Sequence, residues 1–349
     1  MNNPLSVTAS KPLREPLTNR PVPHLLFLTG MADSGLENVE LRENGMVLVF
    51  MGSCSYLPDL TPGKFRVREV WLGGQRPDNL VPRLQARPMV NYIADADSLG
   101  RALAQASKIV EQAGNPPCFN PPKLVARTRR DLIAENLADV PGIRVPRTIR
   151  LEPKTPEDFA SAARTQRLNF PLIVRLAGDH NGISTVRVDK PGQWDAIHAL
   201  PWQGRAVYLT EFVDYQDADG LYRKHRIMMV GGKPYILHVC IGDQWMLHRR
   251  AHLAEKNAEE EQRLADFDKK TLPHIKPVLD AIHRRIGLDY YGLDLHIGED
   301  GNMLLFEANA AMSYLNIGKV AQTHREPYRI RIRHAIESRL MRYVRPNRK

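Results

Sequence analysis

Cysteine is scarce: the chain has three in 349 residues, Cys54, Cys118 and Cys240, far apart and never in a CxxC pair. That spacing excludes a disulfide frame and a thiolate zinc site, and isolated thiols of a reducing compartment are expected. Unbroken apolar runs are short, and none approaches the ~18 residues that cross a bilayer. Residues 1–22 have no apolar h-region, so they read as a flexible arm and not a secretory signal, and the cytoplasm is the expected location. No GK[ST] follows a glycine loop, which excludes a Walker-type phosphate loop. No Ser/His/Asp or Cys/His pattern marks a protein nucleophile. Internal repeats and low-complexity blocks are missing too.

What is present is ordinary for a globular chain, 43% hydrophobic and 25% charged. The charge balance is not ordinary. A net charge of +10 suits an anionic partner, such as a nucleotide, a phosphorylated metabolite or nucleic acid, without choosing among them. HLLFLTGMADSG, GMVLVFMGSCS and FRVREVWLGG are apolar runs that end in glycine and small polar residues, as strands followed by loops do. DADSLGRALAQASKIVEQAG has a helical period, an Asp/Ser start and a Gly stop. Their alternation predicts an α/β lobe over residues 23–120, closed by the proline-rich GNPPCFNPP. A second lobe over 121–210 has strands RTIRL, FPLIVRLAG and ISTVRVD, with helices near 155–166 and 190–199. A third over 211–349 has a hairpin at Gly231-Gly232, further helices and a basic C-terminal helix. The fold class is α/β, built from α+β lobes.

The most informative stretch is YYGLDLHIGEDGNMLLFEANAAM, residues 290–312. Asp300-Gly301 between two alternating runs predicts a two-residue hairpin turn. Counting back from it sets Asp294 opposite Glu307 and Gly292 opposite Asn309. One face then carries Leu293, Leu295, Ile297, Leu304, Phe306 and Ala308. The other carries Gly292, Asp294, His296, Leu305, Glu307 and Asn309. Opposed carboxylates ~5 Å apart repel by roughly 3 kcal/mol at an effective dielectric of ~20. A shared proton, a neighbouring Arg or a divalent cation would offset this, and Asp, Glu and an Asn oxygen form a hard set suited to Mg²⁺. A solvated polar face with the acids splayed apart stays open as the alternative.

An Asp in one strand and a Glu-x-Asn in the next resemble the metal-binding end of the ATP-grasp superfamily, whose members are mostly ATP-dependent carboxylate–amine or carboxylate–thiol ligases. Other segments follow in the family's order. FNPPKLVARTRRDLIAENLADVPGIRVPRT is similar to its first helix, FPLIVRLAGDHNGISTV to its strand and glycine-containing phosphate loop, and VYLTEFV to the hinge that grips adenine. The resemblance covers about residues 115–315. It implies an ATP-grasp fold behind an N-terminal α/β pre-grasp domain. It also implies ATP with Mg²⁺ (or Mn²⁺), and Asp294, Glu307 and Asn309 as metal ligands. ATP contacts are expected from Arg130 (with Asp131 as the rival for its place), Arg175, Gly178, Gly182, Glu211, Val213, Asp219 in preference to Asp217 (on the ribose) and Leu305 (on the adenine ring, or else ordinary core). Arg175 stands where the family usually has Lys, which keeps the charge and changes the geometry. Arg226, His238 and Arg249 are the implied catalytic groups, acting on γ-phosphate, acyl phosphate or the substrate carboxylate. The implied substrates are small-molecule or peptide carboxylates and amines, joined through an acyl phosphate with release of ADP and phosphate. NAAMSYLN lacks the proline or glycine that often follows the family's Asn, so the substrate is not carried over. A kinase on the same fold is the alternative. A solvated basic C-terminal helix is expected before a nucleic-acid-binding one. No membrane partner is expected, and a homo-oligomer is left open.

Overall fold

The structure is a computed structural model that describes residues 22–35, 38–42, 45–49, 63–74, 87–179, 182, 184–247, 251–315 and 323–344. The N-terminal part contains β1 (His24–Met31), β2 (Asn38–Arg42), β3 (Gly45–Val49), β4 (Arg66–Gly73), β5 (Met89–Asn91), helix α1 (Gly100–Gln112) and β6 (Cys118–Phe119). Strands β4-β1-β5-β6 form a parallel sheet, and β2 and β3 pair as a separate antiparallel hairpin. Helix α1 buries Ala102, Leu103, Ala106 and Ile109, a stripe of helical period that packs in the same core as the sheet's Leu25, Phe27 and Leu28.

Helices α2 (Pro122–Val125) and α3 (Arg130–Leu137) follow, then β7 (Ile143–Arg144), β8 (Thr148–Leu151), helix α4 (Pro156–Thr165), β9 (Leu172–Leu176), β10 (Thr185–Val188) and β11 (Val207–Glu211). A capping box between Thr155 and Asp158 starts α4. The expected helix over 190–199 is only a 3₁₀ turn, Trp194–Ala199. Gly192 before it and Pro201 after it leave too little chain for a stable helix. Strands β10-β9-β11-β8 make an antiparallel sheet over a core of its own, which includes Phe159, Leu172, Val174, Trp202 and Leu209.

The remaining elements are β12 (Tyr222–Val230), β13 (Lys233–Gly242), α5 (Asn257–Asp266), α6 (Leu272–Ile286), β14 (Tyr290–Ile297), β15 (Met303–Asn309) and α7 (Glu326–Val344). The third sheet runs β13-β12-β14-β15-β7, so β7 crosses over from the preceding segment to pair parallel with β15. Ile133, Leu137 and Ile143 accordingly join the core shared by the N- and C-terminal sheets, not that of the central sheet. At Gly231-Gly232 both residues have positive φ (56° and 80°) between paired Val230 and Lys233, the expected two-residue hairpin turn.

The second hairpin departs from expectation in an instructive way. Gly298 N–H donates to Asn302 O at 2.9 Å, so the loop holds Glu299, Asp300 and Gly301, with Gly301 at φ 79°. The Asp300 carboxylate accepts from the Asn302 backbone (3.0 Å) and side chain (2.6 Å), which favours a turn closed by a left-handed glycine over the two-residue form. The pairs next to it slip by one: Ile297 faces Met303, His296 faces Leu304 and Leu295 faces Leu305. A bulge beyond Leu295 then inserts Phe306 as an extra residue and restores Asp294 opposite Glu307 and Gly292 opposite Asn309. Two one-residue shifts cancel at the acids. They do not cancel at Leu305, which is cross-strand from Leu295 and joins the core. Leu304, cross-strand from His296, takes the place on the polar face.

Candidate active site between the central and C-terminal sheets

A cavity of about 1080 Å³ lies between the central and C-terminal sheets. That exceeds the upper end, ~1,000 Å³, of ordinary small-molecule pockets. Of the predicted residues, Arg130, Arg175, Gly182, Glu211, Val213, Arg226, His238, Asp294, Leu305 and Glu307 border it. Gly178 and Asn309 border a small adjoining pocket, together with Arg130 and Glu307. Arg249 lies outside the described residues.

The opposed acids are neutralised by arginine. Arg226 is cross-strand from Asp294 on β12 and donates from Nε and Nη2 to its two oxygens at 2.7 and 2.8 Å. Lys224 Nζ stands 3.5 Å from the same carboxylate. Arg130 Nη2 lies 2.6 Å from Glu307 Oε1, which also accepts from the Asn309 side-chain amide at 2.5 Å. Burial alone would raise the Asp294 carboxyl, but Arg226 and Lys224 outweigh it and hold the group well below the ordinary carboxylate range. Asp131, the rival of Arg130 for the phosphate role, is instead paired with Arg129 at 2.8 Å.

A cation fits this set on one specific observation. Asn309 Oδ1 is buried and has no hydrogen-bond partner, a spare hard oxygen beside two carboxylates. Among the described residues no group of three His, Cys, Asp or Glu could hold a metal, so the ligand set depends on that amide oxygen. Asp294, Glu307 and Asn309 would hold Mg²⁺, with Arg226 and Arg130 giving up part of their grip on the acids.

Across the cavity, Arg175 on β9 donates to Asp179 O at 2.7 Å. Burial, reinforced by nearby Arg130, lowers its pKa to about 10, so the guanidinium stays charged at neutral pH. Glu211 ends β11, and its carboxylate accepts from Asn169 N (2.8 Å) and Nδ2 (3.0 Å). The side chain is thereby tied to the central lobe, and the chain leaves its sheet at Val213 after Phe212 N–H donates to Pro171 O. His238 faces Arg226 across β12 and β13. Burial and the Arg226 charge push its pKa well below the ordinary imidazole value, so the ring is neutral.

Aromatic residues escaped the sequence reading. Tyr215 packs on Phe306 (ring centroids 4.6 Å apart), and Phe212 packs edge-on to Trp245 (5.5 Å). All four border the cavity. The bulge residue is Phe306, so its place in the wall follows from a register shift that periodicity does not show.

Asp219 is a correction. It does not border the cavity but is bound by Arg223 Nη1 (3.0 Å) and Nη2 (2.6 Å). Strand alternation sends Arg223 and Lys224 to opposite faces of β12, and Asp219 follows Arg223, which also collects Asp217 and Glu259. Leu305 borders the cavity, but the slipped register pairs it with Leu295 and sets Leu304 opposite His296 on the polar face. His296 is structural. Its Nδ1–H donates to Arg223 O at 3.1 Å, and its ring packs 5.5 Å from Tyr215.

Comparison with known proteins comes down to shape. No family model matches the sequence, and no curated protein matches it either. The fold is similar to that of the VanG D-Ala:D-Ser ligase from Enterococcus faecalis, with a TM-score of 0.53 and 11% identity, over 92% of this chain and 99% of that one. A D-alanine-D-alanine ligase from Coxiella burnetii gives 0.49 at 12% identity, over 92% and 96%. A RimK-domain ATP-grasp protein from Sphaerobacter thermophilus gives 0.46 at 12% identity, over 91% and 99%. This chain has the ATP-grasp fold, with a parallel α/β lobe ahead of the two sheets that enclose the cavity.

Proposed function

We propose that this protein is an ATP-dependent ligase that joins a carboxylate to an amine through an acyl phosphate, releasing ADP and phosphate. The observation that carries the reading is the cavity's charge arrangement. An acid pair with an unpartnered amide oxygen faces a wall of cations, Arg175, Lys224 and Arg226, inside an ATP-grasp fold. Acids suited to a divalent cation beside cations suited to phosphates are what a nucleotide triphosphate needs. Mg²⁺ held by Asp294, Glu307 and Asn309 would neutralise phosphate charge.

In this reading a substrate carboxylate oxygen attacks the γ-phosphorus and the β–γ bridging oxygen leaves with ADP. Lys224, Arg226 and Arg175 are placed to balance the charge that spreads over the transferred phosphoryl group. The amine then adds to the acyl carbon, the carbon–oxygen bond to phosphate breaks, and the amine's proton is released. No protein nucleophile takes part. Cys240 borders the cavity, but burial raises its thiol pKa, which disfavours the thiolate. The VanG D-Ala:D-Ser ligase, whose fold is similar to that of this chain, is itself a ligase, which supports the same reaction class.

Hydroxylamine tests this reading. With ATP, Mg²⁺ and an accepted carboxylate, it should trap an acyl hydroxamate in step with ADP formation. ATP turnover that yields AMP and pyrophosphate contradicts the acyl phosphate, and phosphate retained on the acceptor makes the enzyme a kinase.

A further inference from the structure

The proposed ligase chemistry leaves one set of charged groups on the cavity wall unused. Arg325, Glu326 and Arg329 border the cavity from the start of α7. Arg325 is only 8% exposed. Its Nε and Nη2 donate to the two oxygens of Glu260 at 2.8 and 2.7 Å. Glu260 is itself wholly buried on α5 and also accepts from Val239 N–H (2.9 Å) and lies 3.0 Å from His324 Nε2. This clamp uses one edge of the guanidinium. The other edge, at Nη1, has no hydrogen-bond partner among the described residues. Four residues on, Arg329 is held by Glu326 through Nε (2.8 Å) and Nη2 (2.7 Å).

A buried carboxylate–guanidinium pair is a poor way to gain stability, because desolvation offsets most of the attraction. It is a good way to hold a guanidinium in one orientation. Here the held guanidinium borders a cavity that already has Arg175, Lys224 and Arg226 for phosphates. The cavity also exceeds the ordinary size for one ligand. We propose that Arg325 and Arg329 form a second anion subsite that binds a non-reacting carboxylate of the substrate, with Glu260 as the residue that positions Arg325. The proposal rests on the ligase reading of the same cavity and narrows its substrates to those with an acidic group besides the one that reacts.

The test is isothermal titration of the full-length protein with Mg²⁺ and a non-hydrolysable ATP analogue, comparing glutarate with its monoamide. The wild type should bind glutarate at least about tenfold more tightly. Arg329→Gln, at a partly buried side chain, should bring the two probes within about twofold while leaving affinity for the nucleotide analogue unchanged. Arg325→Gln should do the same, and Arg325→Lys should keep part of the preference. Equal binding of the probes by the wild type, no binding of either, or a preference that survives both glutamine variants would overturn the subsite. If the hydroxamate test fails while the glutarate preference holds, the ligase reading falls and the anion subsite stands.

Discussion

Replacing Arg226 by glutamine removes the main counter-charge of a carboxylate that the fold cannot expose. The Asp294 side chain is 4% exposed, and it loses two charged hydrogen bonds of 2.7 and 2.8 Å in the variant. Glu307 remains directly opposite, a repulsion of roughly 3 kcal/mol at ~5 Å and a dielectric of ~20. Breaking a buried pair from one side costs about 3–5 kcal/mol. Lys224, 3.5 Å from Asp294, stays and favours the lower end, so the expected loss is about 3 kcal/mol. Urea unfolding followed by tryptophan fluorescence measures it. The double variant Arg226→Gln/Asp294→Asn should recover most of the loss, because it removes the stranded charge with its partner. The same single variant should be stabilised by Mg²⁺ alone, since Asp294 is no longer engaged by a guanidinium, whereas the wild type should need nucleotide as well. A loss below about 1 kcal/mol, or no recovery in the double variant, would refute the claim that arginine holds the acid pair together.

Two further predictions follow from buried groups near the same sheet. His225 is 4% exposed with an unpartnered Nδ1, and burial with the nearby Arg263 charge pushes its pKa down to about 3. The unfolded chain takes up that proton near pH 6.5 and the folded one does not, so stability falls as pH drops through 6.5 and goes on falling towards 3. Between pH 6.5 and about 4.5 the loss is about 2 kcal/mol, and urea midpoints should show it shrinking by about that much in His225→Leu. Gly292→Ala should cost about 1–3 kcal/mol and weaken nucleotide binding, because the new Cβ would stand 2.3 Å from Met312 Sδ and push on the segment that follows Asn309. Thermal unfolding and nucleotide titration of that variant check both effects.

Much of the site was readable because strand chemistry is local. The apolar alternation of residues 290–309 and the Asp300-Gly301 turn put Asp294 opposite Glu307, and the structure has that pair. The reasoning reached it through a two-residue turn that does not form, rescued by a bulge that periodicity cannot show. Leu305 records the cost, since its face depends on the register between the two shifts. Asp219 was misplaced because its partner Arg223 is set by a turn and by the far face of β12, neither of which a hinge motif specifies. The choice among proton, arginine and cation was also hidden, because Arg226 and Arg130 come from strands and helices far away in the chain. Of the lobes, the central core was legible as three strands and a helix in sequence. The placement of β7 beside β15 was not, since two residues carry no pairing signal.

The central claim is that a substrate carboxylate oxygen attacks the γ-phosphate inside this cavity. The most direct measurement follows ¹⁸O from a labelled acid during turnover with ATP and an amine. The acyl-phosphate route predicts one ¹⁸O in each inorganic phosphate released, with ADP as the only nucleotide product. Label appearing in AMP, or phosphate free of label, would contradict the account.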